Sequence, residues 1–224
     1  MQTEITKVGY EDLLSNKLTE LKSQGNYRFF MPHENSVVHQ PVFSHSDTVD
    51  NGNPDTFGKG SKKSVVNWTS NDYLGMSVDA DVIAAFVKTA QESGVGSGGT
   101  RNISGTTIQH TELERTIANL HQKTAALIFT SAYVANSTAI SILGRAFPNT
   151  LLISDAENHA SMIEGIKLSR CEKVIFQHND LAHLESILQN TDINRPKIIL
   201  FESVYSMSGT IAPIGAMLKS IGLY

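Results

Sequence analysis

The sequence predicts an α/β fold, a mainly parallel sheet flanked by helices, with an N-terminal helical segment ahead of it. Three observations carry that expectation. Short apolar runs at 125–130, 151–154, 174–177 and 197–202 alternate with amphipathic stretches near 132–143, 160–168 and 181–188. Each run is built on three or more consecutive apolar residues, the pattern of a strand covered on both faces. Strand, helix and strand in that order imply the crossover connections that parallel neighbours require.

The elements follow in order. Leu13, Leu14, Leu18 and Leu21 recur at helical spacing and Gly25 is a plausible stop, so the chain opens on a helix. Residues 32–63 are rich in Asn, Ser, Asp, Gly and Pro without a period, and read as an exposed loop or a loose hairpin. The domain boundary is placed there: 1–63 form a helix and loop segment, and 64–224 the first part of the α/β domain. Val65, Val66 and Trp68 suggest a short strand ending at Ser70-Asn71-Asp72. A helix from about residue 79 to 93 gathers Val82, Ile83, Phe86, Val87 and Ala90 on one face, with acidic residues in its first turn and Gly94 closing it. A glycine-rich loop, 94–105, leads to another helix capped by Thr106 or Thr107, with Leu113, Ile117 and Leu120 as its buried stripe. Pro213 opens a last helix. The sequence then ends directly after it, which reads as a domain cut short, with apolar faces and strand edges uncovered and poor solubility as the consequence.

Composition narrows the function classes. With 40% hydrophobic and 18% charged residues the chain can bury a core and is not of disordered type. A formal charge of −4 gives no basic field for nucleic acid or an anionic membrane. Cys171 is the single cysteine, so no intrachain disulfide or CxxC metal knuckle can form, and no histidine pair shows HExxH spacing. No apolar stretch approaches the roughly 20 residues of a membrane span. The start carries Glu4, Glu11 and Asp12 and lacks the character of a signal or transit peptide. A reducing, bacterial-type cytoplasm is the simplest setting.

Four segments could carry chemistry. The loop Gly94-Val95-Gly96-Ser97-Gly98-Gly99-Thr100-Arg101-Asn102-Ile103-Ser104-Gly105-Thr106 follows a helix and lacks the Gly-Lys-Ser/Thr ending, so it is neither a Rossmann fingerprint nor a P-loop. As a pattern alone it fits a mobile surface loop better than a ligand cradle. Ser131-Ala132-Tyr133 lies where a buried strand turns into a helix, and either a capping serine or an anion held by the first free amides fits there. Asn158-His159-Ala160-Ser161 follows the strand ending at Ser154-Asp155, and His159 fits a solvated or capping residue as well as a ligand contact. Glu202-Ser203-Val204-Tyr205-Ser206-Met207 closes the strand that begins near Lys197. Ligands in open α/β sheets sit at the carboxyl ends of strands. Separate strand ends bringing polar groups to one rim make a cofactor site the favoured reading.

Those same segments carry a resemblance. Ser70-Asn71-Asp72-Tyr73-Leu74-Gly75 resembles the opening signature of the α-oxoamine synthases, fold-type I pyridoxal-phosphate enzymes. The Gly96 to Thr106 run, Asn158-His159-Ala160-Ser161-Met162-Ile163-Glu164-Gly165-Ile166, Phe201-Glu202-Ser203-Val204-Tyr205-Ser206-Met207 and Gly25-Asn26-Tyr27-Arg28-Phe29 resemble the 5-aminolevulinate synthase branch in order and spacing. The resemblance covers about 25–213, interrupted before residue 63, and implies an incomplete PLP-dependent transferase large domain.

By that resemblance the expected activity is condensation of glycine with succinyl-CoA to 5-aminolevulinate, CoA and CO2, a step of haem and porphyrin biosynthesis, in a protein that is a homodimer when full length. His159 is expected to stack on the pyridine ring as the catalytic contact. Ser131, Ala132 and Tyr133 are expected at the phosphate, and Ser206 to hydrogen-bond the cofactor. Asn71 is expected at the amino-acid carboxylate. Arg28, Thr100 and Asn102 are expected at the succinyl carboxylate, which a guanidinium fork suits. Ser154 and Lys173 are expected to contact the CoA substrate. Two departures stand out. Ser208 occupies the place where the family has Asp before Gly209. The family's later Asp, His and Schiff-base lysine are missing, with Lys219 the last lysine, so the chain alone is expected to be inactive. The alternatives are another α-oxoamine synthase (8-amino-7-oxononanoate synthase or 2-amino-3-ketobutyrate CoA ligase) and a non-catalytic binding module.

Overall fold

The computed structural model describes residues 9–28, 33–34, 42–46 and 62–222, which divide into two compact units, Met1–Gly96 and Ser97–Tyr224. In the first unit, α1 (Tyr10–Ser23) begins with Glu11 and Asp12 in its first turn and Lys22 in its last, charges that oppose the helix dipole. Gly25, at φ +69°, turns the chain out of it. Three strands follow, β1 (His33–Glu34), β2 (Val42–Ser46) and β3 (Lys62–Val66), in an antiparallel meander that pairs Phe43 with Val65. The stretch read as a loop or loose hairpin therefore contains sheet pairing. Val-Phe-Ser-His-Ser carries too few apolar residues to announce itself as β2. A 3-10 turn (Met76–Val78) leads to α2 (Ala80–Ser93), where the Asp79 carboxylate accepts the Asp81 and Val82 amides as an N-cap.

The second unit holds the α/β layers. Its helices and strands are α3 (Ile108–Leu120), α4 (Ala132–Ala146), β4 (Leu151–Asp155), α5 (Ala160–Ser169), β5 (Glu172–Phe176), α6 (Leu181–Gln189), β6 (Lys197–Leu200) and α7 (Ile214–Ile221). The sheet order is β5-β4-β6, all parallel, with Ile153 in register with Val174 on one side and Ile199 on the other. Every residue of β4 is buried. Its alternation divides the core. Leu151 and Ile153 pack with Phe176, Leu184, Leu188 and Met217 on the α6 and α7 side. Leu152 packs with Ile140, Met162 and Ile166 on the α4 and α5 side. The crossovers through α5 and α6 thus lie on opposite faces, as strand neighbours reached in opposite directions require when both turns are right-handed.

Helices α4 and α5 touch through Gly165. A Cβ there would come within 2.9 Å of the Ser137 carbonyl oxygen and of Ile140 Cβ, so the pair closes only on glycine. The glycine-rich loop has its own requirement: a Cβ on Gly105 would overlap the Gly99 carbonyl. That loop is pinned to α3 by Arg101, whose two terminal nitrogens meet the two Glu114 oxygens at 2.6 and 3.1 Å. Thr107 caps α3, its amide donating to His110 Nδ1.

Two expectations are corrected. Residues 125–130 form no strand among the described residues. Apolar character permits a strand, but only a neighbour's backbone makes one, and here the recorded tie is the Ile128 amide donating to Glu114 Oε1 at 2.9 Å. The stripe on α3 is not buried either: Leu113 is 49% and Leu120 72% exposed, and Ala118 alone of that helix is buried. The α2 face is similarly open at Val82, Phe86 and Val87.

Two outcomes follow from this packing. Gly165→Ala should lower the urea midpoint by an amount equivalent to about 1–3 kcal/mol, the cost of overpacking, with the slope unchanged. The Arg101 guanidinium, helped by the Ile128 amide, holds the Glu114 carboxyl at about 2. A depressed carboxyl stabilises the fold above its unfolded value, near 4.3, and that contribution is lost as pH falls through the folded value. The stability gap between the native chain and Glu114→Gln should therefore be constant above about pH 5 and close between there and about pH 2, as urea melts at a series of pH values would read.

Candidate active site

The carboxyl ends of the three parallel strands supply the groups. After β4, the Asn158 amide nitrogen donates to Ser154 Oγ at 2.9 Å and to the Leu200 carbonyl at 2.8 Å, tying the exit of β4 to the end of β6. The next backbone amide, of His159, donates to Glu202 Oε1 at 2.5 Å. His159 itself is the N-cap of α5: its Nδ1 accepts the Ser161 amide at 3.2 Å and stands 2.7 Å from Ser161 Oγ. The capping reading of the sequence is therefore correct for one ring nitrogen, and no hydrogen bond of Nε2 is recorded among the described residues. Asn136 on α4 donates to the same Ser161 hydroxyl at 3.0 Å.

Ser131 caps α4 through the Val134 amide at 3.2 Å. The Ala132 and Tyr133 amides are at the open end of that helix, where no intrahelical acceptor exists. The Tyr133 ring meets the His159 ring edge-on, centroids 6.1 Å apart. An open helix end and an imidazole thus share one edge of the sheet. That donor set suits a phosphate joined to a planar ring, which is what pyridoxal phosphate presents.

Beside them a polar network closes the sheet edge. Asp155, 2% exposed at the end of β4, accepts the Glu157 and Asn179 amides at 2.8 and 3.0 Å and meets His178 Nδ1 at 2.9 Å. Burial works against its charge, but these donors outweigh it and hold the carboxyl below its ordinary value. His178 Nε2 reaches Thr210 Oγ1 at 2.8 Å, and Ser208 joins Thr210 to Glu157 Oε2 at 2.9 and 2.8 Å. The Tyr205 ring packs edge-on to His178 at 4.4 Å, and burial, with Asp155 adjacent, pushes its hydroxyl well above the usual range. This network fixes the turn between Val204 and Ile211, on which Ser206 stands exposed. Ser208 is no gap in it: the hydroxyl makes both contacts itself.

The other anticipated residues fall in different places. Ser154 is 4% exposed and its hydroxyl faces inward, donating to the Asp155 carbonyl and accepting from Asn158. Lys173 lies exposed on β5, opposite Leu152. Thr100 and Asn102 face each other on the glycine-rich loop, the Thr100 hydroxyl donating to Asn102 Oδ1 at 2.8 Å, and neither bonds His159. Arg28 and Asn71 belong to the first unit, both exposed. Asn71 sits in a turn braced by Asp72, whose carboxyl the Ser77 hydroxyl holds below its ordinary value. Sequence reasoning missed Asn136, Asp155, Glu157, His178 and Thr210. The one available signal was Gln177-His178-Asn179-Asp180, a polar run directly after β5. Among the described residues no group of side chains forms a metal site and no helix is long and apolar enough to cross a membrane.

The profile of the family described as aminotransferase class I and II matches residues 63–219. A 5-aminolevulinate synthase of Rickettsia conorii is 45% identical over 205 residues, 92% of this chain and 46% of that protein. The 5-aminolevulinate synthase 2 of Cereibacter sphaeroides is 54% identical over 155 residues, 69% of this chain and 38% of that one. Among solved structures, a serine palmitoyltransferase from S. paucimobilis with a bound PLP–myriocin aldimine superposes with a TM-score of 0.75 at 28% identity, covering 95% of this chain and 49% of that one. The chain thus spans about half the length of the curated relatives it matches. Profile, relatives and sheet agree: the chain belongs to the aminotransferase class I and II family of pyridoxal-phosphate enzymes, with the fold-type I architecture.

Proposed function

We propose that the chain contributes the cofactor- and acyl-binding part of a 5-aminolevulinate synthase, which joins glycine to succinyl-CoA and releases 5-aminolevulinate, CoA and CO2. The observation that carries this reading is the contact of Tyr133 with His159, because it joins an open helix end to an imidazole at one sheet edge. The likeness to relatives named 5-aminolevulinate synthase supports the choice of substrates.

Bound pyridoxal phosphate supplies an electron sink for charge developing at the amino-acid Cα. In this reading the Ala132 and Tyr133 amides and the Ser131 hydroxyl hold the phosphate, where the α4 dipole favours negative charge. The His159 ring would be the side chain that lies against the cofactor's ring and excludes water there. Ser206, on the turn braced by His178 and Thr210, donates a hydrogen bond to the cofactor. Thr100 and Asn102, which face each other on the glycine-rich loop, receive the succinyl carboxylate. Lys173 is the exposed group left for the CoA moiety, while the inward Ser154 supports Asn158. The hydrogen bonds of His159 among the described residues go to Glu202 and Ser161, and no proton transfer at glycine is assigned to them.

The test is a titration of the purified chain with pyridoxal phosphate, followed by the circular dichroism induced in the cofactor's own absorption band. A saturable signal is expected, weakened tenfold or more, about 1.4 kcal/mol, by His159→Ala. Succinyl-CoA should bind the cofactor-loaded chain more tightly than acetyl-CoA. The loaded chain should release no 5-aminolevulinate from glycine and succinyl-CoA. Absence of any induced signal overturns the cofactor reading, and equal affinity for the two thioesters overturns the choice of acyl donor.

A further inference from the structure

The sequence leaves open which nitrogen of His159 carries the proton, and the structure constrains it through neighbours that bind no ligand. Two groups converge on Nδ1. The Ser161 backbone N–H, 3.2 Å away, is a donor in every protonation state, so the atom facing it must present a lone pair. The Ser161 hydroxyl, 2.7 Å away, can either donate or accept. Asn136, whose amide nitrogen has only hydrogens to offer, donates to Ser161 Oγ at 3.0 Å and takes up one of its two lone pairs, which favours the donating role toward Nδ1. With an oxygen lone pair so occupied, the hydroxyl hydrogen is free to point at Nδ1. Ser161 is fully buried, so water does not compete for these positions.

We propose that Asn136 and Ser161 are positioning residues that fix His159 in the tautomer bearing its proton on Nε2. The chain of donors runs from Asn136 Nδ2 to Ser161 Oγ to His159 Nδ1, and it crosses from α4 to α5. The same two helices are held at contact distance by Gly165, so the length of the relay is set by backbone packing. The unbonded side of the ring then offers an N–H to an acceptor oxygen of whatever lies against it. It offers no lone pair there, and His159 acts as an orienting donor and not as a base at Nε2. This deepens the site proposed above and rests on that reading only for the identity of the ligand, since the tautomer belongs to the cofactor-free chain.

The experiment is a long-range proton–nitrogen correlation spectrum of the cofactor-free chain labelled with nitrogen-15 in histidine, with His159→Gln identifying the His159 signals. The expected pattern is a bare Nδ1 and a protonated Nε2. In Ser161→Ala the two nitrogen resonances should move toward each other as the tautomers mix, with the remaining histidines unmoved. Asn136→Ala should produce a smaller movement in the same direction, and serves alone if Ser161→Ala does not fold. A native spectrum with the proton on Nδ1 overturns the proposal, as does a separation that neither variant changes. Failure of the pyridoxal phosphate titration leaves this spectrum as it is, so the two readings fail separately.

Discussion

Two hydrogen bonds reaching from the exit of β4 to the end of β6 decide where the site stands. Asn158 gives one to the Leu200 carbonyl and the His159 amide gives the other to Glu202. The first is worth only about 1 kcal/mol net and the second, to a carboxylate, about 1.5–3 kcal/mol. Their effect is geometric. The chain leaving a buried central strand is held against the neighbouring strand's end before α5 begins, so the imidazole is presented at the sheet edge by backbone and not by a flexible loop. The same turn then caps α5 with the ring itself. One residue thus closes a helix with Nδ1 and leaves Nε2 open.

Around that turn, burial is used to keep polar groups in place. Asp155 sits in the core because backbone amides and His178 satisfy it, and a carboxylate with those donors is cheaper to bury than an unpaired one. His178 passes the constraint on to Thr210 and, through Ser208, to Glu157. The consequence is a braced turn beneath Ser206. Ser208 fits this arrangement, since its hydroxyl can donate to Glu157 where a carboxylate would repel it.

Much of this was legible in advance. The runs 151–154, 174–177 and 197–202 announced strands because a strand covered on both faces needs a largely apolar run, and β4 is buried along its whole length. Helix starts at Asp79, Thr107 and Ser131 were marked by residues whose side chains can satisfy the first amides. What failed had a common cause. Residues 125–130 have the composition of a strand and the α3 leucines that of a buried stripe, but both need a partner surface, and composition states a requirement without supplying it. The polar network was illegible for a different reason. Asp155, His178 and Thr210 are far apart in the chain, and nothing in a linear pattern says that a histidine after one strand will meet a carboxylate after another. His159 stood out in the sequence, but its cap was visible only as one of two readings, because the choice lay with the Ser161 amide.

Hydrogen exchange at the His159 backbone amide tests the central claim most directly. If Glu202 holds that amide as described, exchange in the native chain is slow for an exposed turn, and Glu202→Ala speeds it by about tenfold or more, the loss of about 1.4 kcal/mol of protection. An amide that exchanges equally fast in both proteins would contradict the account, because the turn carrying the imidazole would then not be fixed to β6.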